Sequence, residues 1–324
     1  MQVSASSAAE TSRLGKLAEY QILDTPPERV FDEITQVAAK LIGVPISLVS
    51  LIDRDRQWFK ARYGLNAIET PREHAFCAHA IKSDDVYVVP DATQNPLFAE
   101  NPLVTGLPDI RFYAGAPLIT SDNFRLGTLC VIDTKPHDGL SEDAEKVLTL
   151  LARMVVNALE ARRHTMRAQH QIRMMTRLTE ATVAVAQAKS IDELGRVLTE
   201  NARSLVVPDA ASLHITRADD TPFKAIATRS GAAADAVAWQ ARGDILKTRG
   251  SLVAATLKDI PAAKAGDDIK GSWMGVLIGL DADRPVGHFQ VWRQSTTSFT
   301  ELETAMLTDL SRVASAVAER LASH

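Results

Sequence analysis

The segment "PREHAFCAHAI", Pro71 to Ile81, sets His74, Cys77 and His79 close together in a chain whose only other cysteine is Cys130. Imidazoles and thiols at such spacing are the common ligands of zinc and the usual participants in thiolate chemistry. A structural zinc site needs four ligands, usually with a second close pair, and no such pair accompanies these residues or Cys130. The pattern therefore argues against a metal. Thiol chemistry is a second reading: Cys77 beside a charged and close His79 would have a lowered pKa. Against it, Cys130 lies in "GTLCVID", a strand pattern in which cysteine is ordinarily a small buried apolar residue. The third reading is packing. "FCAHAI" then starts a short helix that turns Phe76, Ala80 and Cys77 inward, with His79 donating to a loop carbonyl.

Which reading holds depends on the elements that carry the segment. "PISLVSLID", Pro45 to Asp53, is apolar at nearly every position, a strand covered on both faces, by helices on one and loops on the other. "RDRQ" turns it into "WFKARYG"; Asp53 and Asp55 there read as turn caps rather than cation ligands. In "IRFYAGAP" alternation sends Arg111 and Tyr113 to one face and Phe112 to the other. Before these strands, "RVFDEITQVAAKLIG" puts Phe31, Ile34, Val37, Ala38 and Leu41 on one helical face.

The second half repeats the plan. "SIDELGRVLTENARSLV" is an amphipathic helix through Ile191, Leu194, Val197, Leu198 and Leu205, opened by a capping box of Ser190 and Glu193. The strand "AASLHITRA" follows it. Both halves then close on strand, Asp-containing turn, strand and long helix, with Ser141 and Thr300 as N-caps ahead of acidic first turns. This order implies two α+β domains, each with a mostly antiparallel central sheet flanked by helices. Ser141 to Ala188 contains no Pro or Gly, so a helical connector joins the halves.

A chain of 324 residues is comfortable for two domains, and 46% apolar with 23% charged residues is ordinary for a soluble globular protein. A net charge of −4 supplies no grip on nucleic acid or anionic lipid. Two cysteines fit a reducing cytoplasm. The opening "MQVSASSAAETSR" has no apolar core, and no run approaches the ~20 residues of a membrane span. The expectation is a cytoplasmic protein.

Six blocks add a resemblance. "ILDTPPERVFDEI", "SLVSLIDRDRQWFKARYGL", "PREHAFCAHAI", "VVPDATQNPLFAENPLV", "IRFYAGAPLI" and "LGTLCVIDTKP" together resemble a GAF domain, in the branch that fronts bacterial sensor histidine kinases and cyclic-di-nucleotide enzymes. The resemblance covers Leu14 to Arg162; the second half is similar in pattern only, and its central "SGAAADAVAWQARGDILKTRGSLVAATL" does not align. It implies a layout of disordered residues 1–13, a first GAF domain over 14–162, a helical connector over 163–177 and a divergent GAF-like domain over 178–324.

In function it implies a tandem-GAF sensor in two-component-like signalling that is not itself an enzyme. Such a module needs no cofactor, is homodimeric through its helices, and passes a signal to a partner such as a kinase or cyclase. A small-molecule pocket between sheet and loops would be lined by Trp58, Cys77, His79, Asp91, Arg111 and Tyr113. Arg111 and Tyr113 suit an anion or a polar ring, although Arg111 can equally pair with Asp91 or Asp109, and Asp91 can equally hold a loop amide. Bilin-binding GAF domains tether pigment at a cysteine commonly followed directly by histidine; here Ala78 intervenes. A thiol-based redox role at Cys77, like that of GAF proteins that reduce free methionine sulfoxide, and a ligand-free scaffold stand as the alternatives.

Overall fold

The computed structural model describes residues 2–216, 222–228, 251–254, 272–279, 286–293, 295 and 297–322. The chain divides into two compact units, Met1–Ala168 and Gln169–His324. Most of the segment "SGAAADAVAWQARGDILKTRGSLVAATL" lies outside the described residues.

The first unit is built on a six-stranded sheet. Its strands are β1 (Ile46–Ile52), β2 (Arg56–Tyr63), β3 (Glu69–Pro71), β4 (Tyr87–Val89), β5 (Phe112–Ile119) and β6 (Arg125–Asp133), in the order β3-β2-β1-β6-β5-β4. Every pairing is antiparallel. All seven residues of β1 are buried, as expected for a central strand between two packed layers.

One face carries the helices α1 (Gln2–Glu19), α2 (Arg29–Ile42) and the first part of α5 (Glu142–Ala186), around a core that includes Leu17, Phe31, Ala38, Val49, Phe112, Leu129, Leu148 and Val155. The other face carries a 3₁₀ turn (Arg72–His74), the short helices α3 (Cys77–Ala80) and α4 (Pro102–Thr105), and the loops between them. Ser141 caps α5 by accepting from the Ala144 amide.

Two expectations need correction. Where a disordered arm over residues 1–13 was expected, residues 2–13 belong to helix α1, which begins at Gln2. Its Arg13 is buried, forms an ion pair with Glu10 one turn back, and Glu10 in turn holds Arg72. Further along, Leu17 and Tyr20 are inserted into the core. The buried face of α2 is also turned from the expected one. Phe31, Ile34, Thr35, Ala38 and Ala39 are buried, whereas Val37 and Leu41 are 43% and 65% exposed. Ala38 and Ala39 let the helix lie close on the sheet, and this close side wins over the more hydrophobic stripe.

The second unit has a five-stranded sheet of β7 (Ala210–Thr216), β8 (Pro222–Thr228), β9 (Ser251–Ala254), β10 (Ser272–Ile278) and β11 (Gly287–Arg293), in the order β8-β7-β11-β10-β9. This is the order β2-β1-β6-β5-β4 of the first sheet over again, all antiparallel. The helices α6 (Ile191–Val206) and the last described helix, here α7 (Glu301–Ala322), share its core with the end of α5. Ser190 accepts from the Glu193 amide, and Glu193 reaches back to the Lys189 amide rather than to that of Ser190. Thr300 and Glu303 close a reciprocal box at the start of α7.

Candidate functional site

The loop-covered face of the first sheet gathers the reactive side chains. Register places Ser50 opposite Thr128, and Cys130 between Leu48 and Gly115. Thr128 and Cys130, two apart on β6, point to the same side. Ser50, opposite Thr128 and two residues from both Leu48 and Ile52, faces that side by the same alternation. Tyr113 on β5 completes a floor of two hydroxyls, a thiol and a phenol beneath α3.

Helix α3 lowers Cys77 onto this floor. Its Sγ lies 3.8 Å from Cys130 Sγ, and the Tyr113 hydroxyl donates to Cys77 Sγ at 3.3 Å. Both thiols are free and at most 2% exposed. Gly115 leaves the space that Tyr113 needs, because a Cβ there would sit 2.2 Å from its hydroxyl oxygen. Neither the Ser50 nor the Thr128 hydroxyl has a hydrogen bond of normal geometry, although both are fully buried.

These neighbours separate the two thiols electrostatically. Burial pushes Cys77 up, but contact with Cys130 and with the Ser50, Thr128 and Tyr113 hydroxyls outweighs it and brings Cys77 below the ordinary thiol range. Cys130 is driven well above that range by the hydrogen bond to Cys77 and by burial. The two titrate as one unit, with Cys77 as the more acidic member. Burial, then the nearby sulfurs, also raise Tyr113, which stays a neutral donor.

The space expected to be an open pocket is filled by side chains. Phe76 stacks on Phe98 with centroids 3.9 Å apart and planes 12° from parallel, and Tyr113 tilts against Phe76 at 5.2 Å. His79 sets its ring edge-on to Phe98 at 5.1 Å, in place of the expected loop carbonyl, and burial followed by Lys82 lowers its pKa. His74 is drawn away: its carbonyl accepts from Asn101, and its ring faces Glu73.

The remaining expected site residues serve the surrounding loops. Asp91 caps its own turn, accepting from the Thr93 amide and hydroxyl at 2.9 and 2.7 Å. Arg111 is on the expected face, paired with Asp109 at 2.6 Å and donating to the Val104 carbonyl. Trp58 is on the opposite face, in the helix-side core, and lines a separate cleft of about 540 Å³ with Asp24, Asp32, Lys60 and Arg62. Of the six expected residues, Cys77, Tyr113 and His79 share one aromatic and thiol cluster, and Trp58 does not belong to it. Ser50 and Thr128 were missed, although hydroxyls inside the apolar runs "ISLVSLI" and "LGTLCVI" are a visible signal; Ser47 in the first run shows that this signal alone does not select the site.

The segment bearing Cys77 is tied to the helices. Arg72 donates to Glu10 at 2.7 Å and to the Asp53 carbonyl at 2.9 Å. The far end of α1 is tied to α5, with Glu19 pairing with Arg163 and the Tyr20 hydroxyl donating to Glu160. On the opposite, helix-side face, the Lys60 ammonium is fully buried and donates to Thr25, the Pro26 carbonyl and Glu28 at 2.9, 2.7 and 2.8 Å. Glu28 also accepts from Arg162 of α5 at 3.0 Å.

Comparison with known proteins places this geometry. Residues 26–159 match the family model described as GAF domain. The cyclic di-GMP phosphodiesterase PA2567 of Pseudomonas aeruginosa is 44% identical over 163 residues, which is 50% of this chain and 27% of that relative. The chain thus spans little more than a quarter of the relative's length. The crystal structure of bacteriophytochrome RpBphP3 from the photosynthetic bacterium R. palustris aligns over 95% of this chain and 75% of its own, at 14% identity and a TM-score of 0.45. The phosphodiesterase corrects one expectation. The expectation is that the chain is not an enzyme, but half of it is 44% identical to part of a protein named for an enzymatic activity. Among the described residues, no helix is long and apolar enough to cross a membrane.

Proposed function

Because residues 26–159 are a GAF domain, we propose that the first unit is the signal-receiving part of a protein that controls cyclic di-GMP hydrolysis. The face beneath α3 receives the signal and α5 delivers it. The observation that carries this reading is the run of polar ties from the receiving face to α5, Arg72–Glu10 followed by Glu19–Arg163 and Tyr20–Glu160. A displacement of the 3₁₀–α3 segment cannot leave Arg72 in place, so it changes the footing of α1, and α1 is the helix that α5 grips. A small polar molecule acts by displacing the Phe76–Phe98 stack and satisfying Ser50 and Thr128. Its effect is bounded by its differential affinity for the open and closed arrangements.

Two further elements belong to the proposal. The repeated strand order supports reading the second unit as a divergent copy of the same fold. Exposed Leu150 and Met154, one turn apart on α5, support a homodimer formed through helices.

Hydrogen exchange of the whole chain, with and without cyclic di-GMP, GTP, free amino acids and inorganic phosphate, tests the receiving face. The expected result is that at least one probe changes exchange at residues 72–81 and at 142–163 together. Probes that leave both segments unchanged, or change only the first, count against the reading.

A further inference from the structure

Cys77 and Cys130 are the only cysteines in 324 residues, come from positions far apart in the chain, and meet as free thiols 3.8 Å apart in a closed core. The pair lies in a mainly apolar cluster with Leu48, Phe76 and Ile132, but polar groups also reach it. It is faced by the Tyr113 hydroxyl, which donates to Cys77, and by the Ser50 and Thr128 hydroxyls, which are buried without a normal hydrogen bond. The two thiols are also mounted differently. Cys130 is fixed in β6 between two paired strands, whereas Cys77 opens a four-residue helix entered through a 3₁₀ turn. The sulfurs need to approach from 3.8 Å to roughly 2.05 Å, and Cys77 is the side that can move.

We propose that Cys77 and Cys130 form a reversible disulfide when the protein meets a hydroperoxide, so that the loop-covered face of the first unit is a redox-responsive site. Cys77 loses its proton and its thiolate attacks one peroxide oxygen. The S–O bond forms, the O–O bond breaks, and the departing hydroxide takes up the released proton as water. Cys130 then attacks the sulfenic sulfur; the S–S bond forms, the S–O bond breaks, and the hydroxyl leaves with the Cys130 proton as a second water. Two thiols are oxidised by two electrons and one hydrogen peroxide is reduced to two waters. A thiol reductant reverses the bond by exchange. The lower pKa of Cys77 makes it the attacking sulfur, and Cys130 the resolving one. The bond draws α3 toward β6 and so pulls on the segment that Arg72 ties to α1. The inference stands whether or not the same face takes a small molecule.

The test is intact mass and peptide mapping of the whole chain after hydrogen peroxide, followed by denaturation and alkylation. The expected result is loss of two hydrogens, no alkylated thiol, a Cys77–Cys130 cross-linked peptide, and full recovery with dithiothreitol. In Cys130→Ser, the expected product is a dimedone adduct on Cys77. Two alkylated thiols after peroxide would overturn the proposal. So would wild-type Cys77 advancing to the sulfinic acid with Cys130 still free, or a disulfide formed only between two chains.

Discussion

Tyr113 is held by what Gly115 lacks. Its hydroxyl occupies the place where a Cβ on residue 115 would stand, and from there it donates to Cys77. Gly115→Ala is therefore expected to overpack the floor, lowering stability by about 1–3 kcal/mol, and to move the phenol off the sulfur. Chemical denaturation reads the first effect, and the rate of Cys77 alkylation in the native chain reads the second. Lys60 is the second residue whose environment decides its role. Its buried ammonium has three oxygen partners, and Lys60→Met leaves Glu28 with Arg162 alone. A loss of about 2–3 kcal/mol is expected, with α5 around Arg162 loosened in hydrogen exchange. Glu10 gives the pH dependence. The hydrogen bond from Arg13, opposed by burial and helped by Arg72, holds its carboxyl at about 2 against an ordinary 4.5. A depressed carboxylate stabilises the fold above its unfolded pKa, and this contribution is lost as pH falls from about 4.5 toward 2. Since the side chain is a third exposed, solvent screens much of it. Glu10→Gln is expected to cost under about 1 kcal/mol at neutral pH and to flatten the acid side of the stability profile over that window.

At the scale of elements, the strands were the most legible. "ISLVSLI" and "RLGTLCVID" are so apolar that only a central, doubly covered position accommodates them, and both lie there. The caps at Ser141, Ser190 and Thr300 were legible for a similar reason, since a side-chain oxygen followed by first-turn acids acts locally. The helix faces were not. On α2, periodicity favoured Val37 and Leu41, but the closeness of approach allowed by Ala38 and Ala39 decided the contact. Helix α1 escaped notice because what orders it is distant: Arg72 and α5 are far along the chain from Glu10, Glu19 and Tyr20. The same distance hides the site. That Cys77 meets Cys130 depends on a crossing segment with no periodicity of its own, and Trp58 went to the other face because the pleat of β2 decides its side. Arg72→Ala removes the tie directly. It is expected to speed exchange in residues 8–19 several-fold while leaving that of β1 unchanged.

Over the whole molecule, the repeat is the most informative sequence feature, since two stretches of low similarity have the same strand order. Loop-borne function is less repeated, because turns and crossing segments tolerate change that a core does not. The exposed Leu150 and Met154 are expected to be covered by a second copy. Sedimentation of the wild type is expected to show a dimer, and Leu150→Asp combined with Met154→Asp a monomer with an unchanged melting temperature; a monomeric wild type would remove the helix-mediated dimer.

The central claim is that the face under α3 is mechanically joined to α5. Hydrogen exchange of Phe98→Leu, which loosens the ring stack beneath α3 without touching any polar tie, tests it most directly when β1 serves as the internal measure of global opening. The expected result is faster exchange at residues 72–81 accompanied by faster exchange at 8–19 and 142–163, with β1 unchanged. Faster exchange confined to 72–81 would contradict the claim.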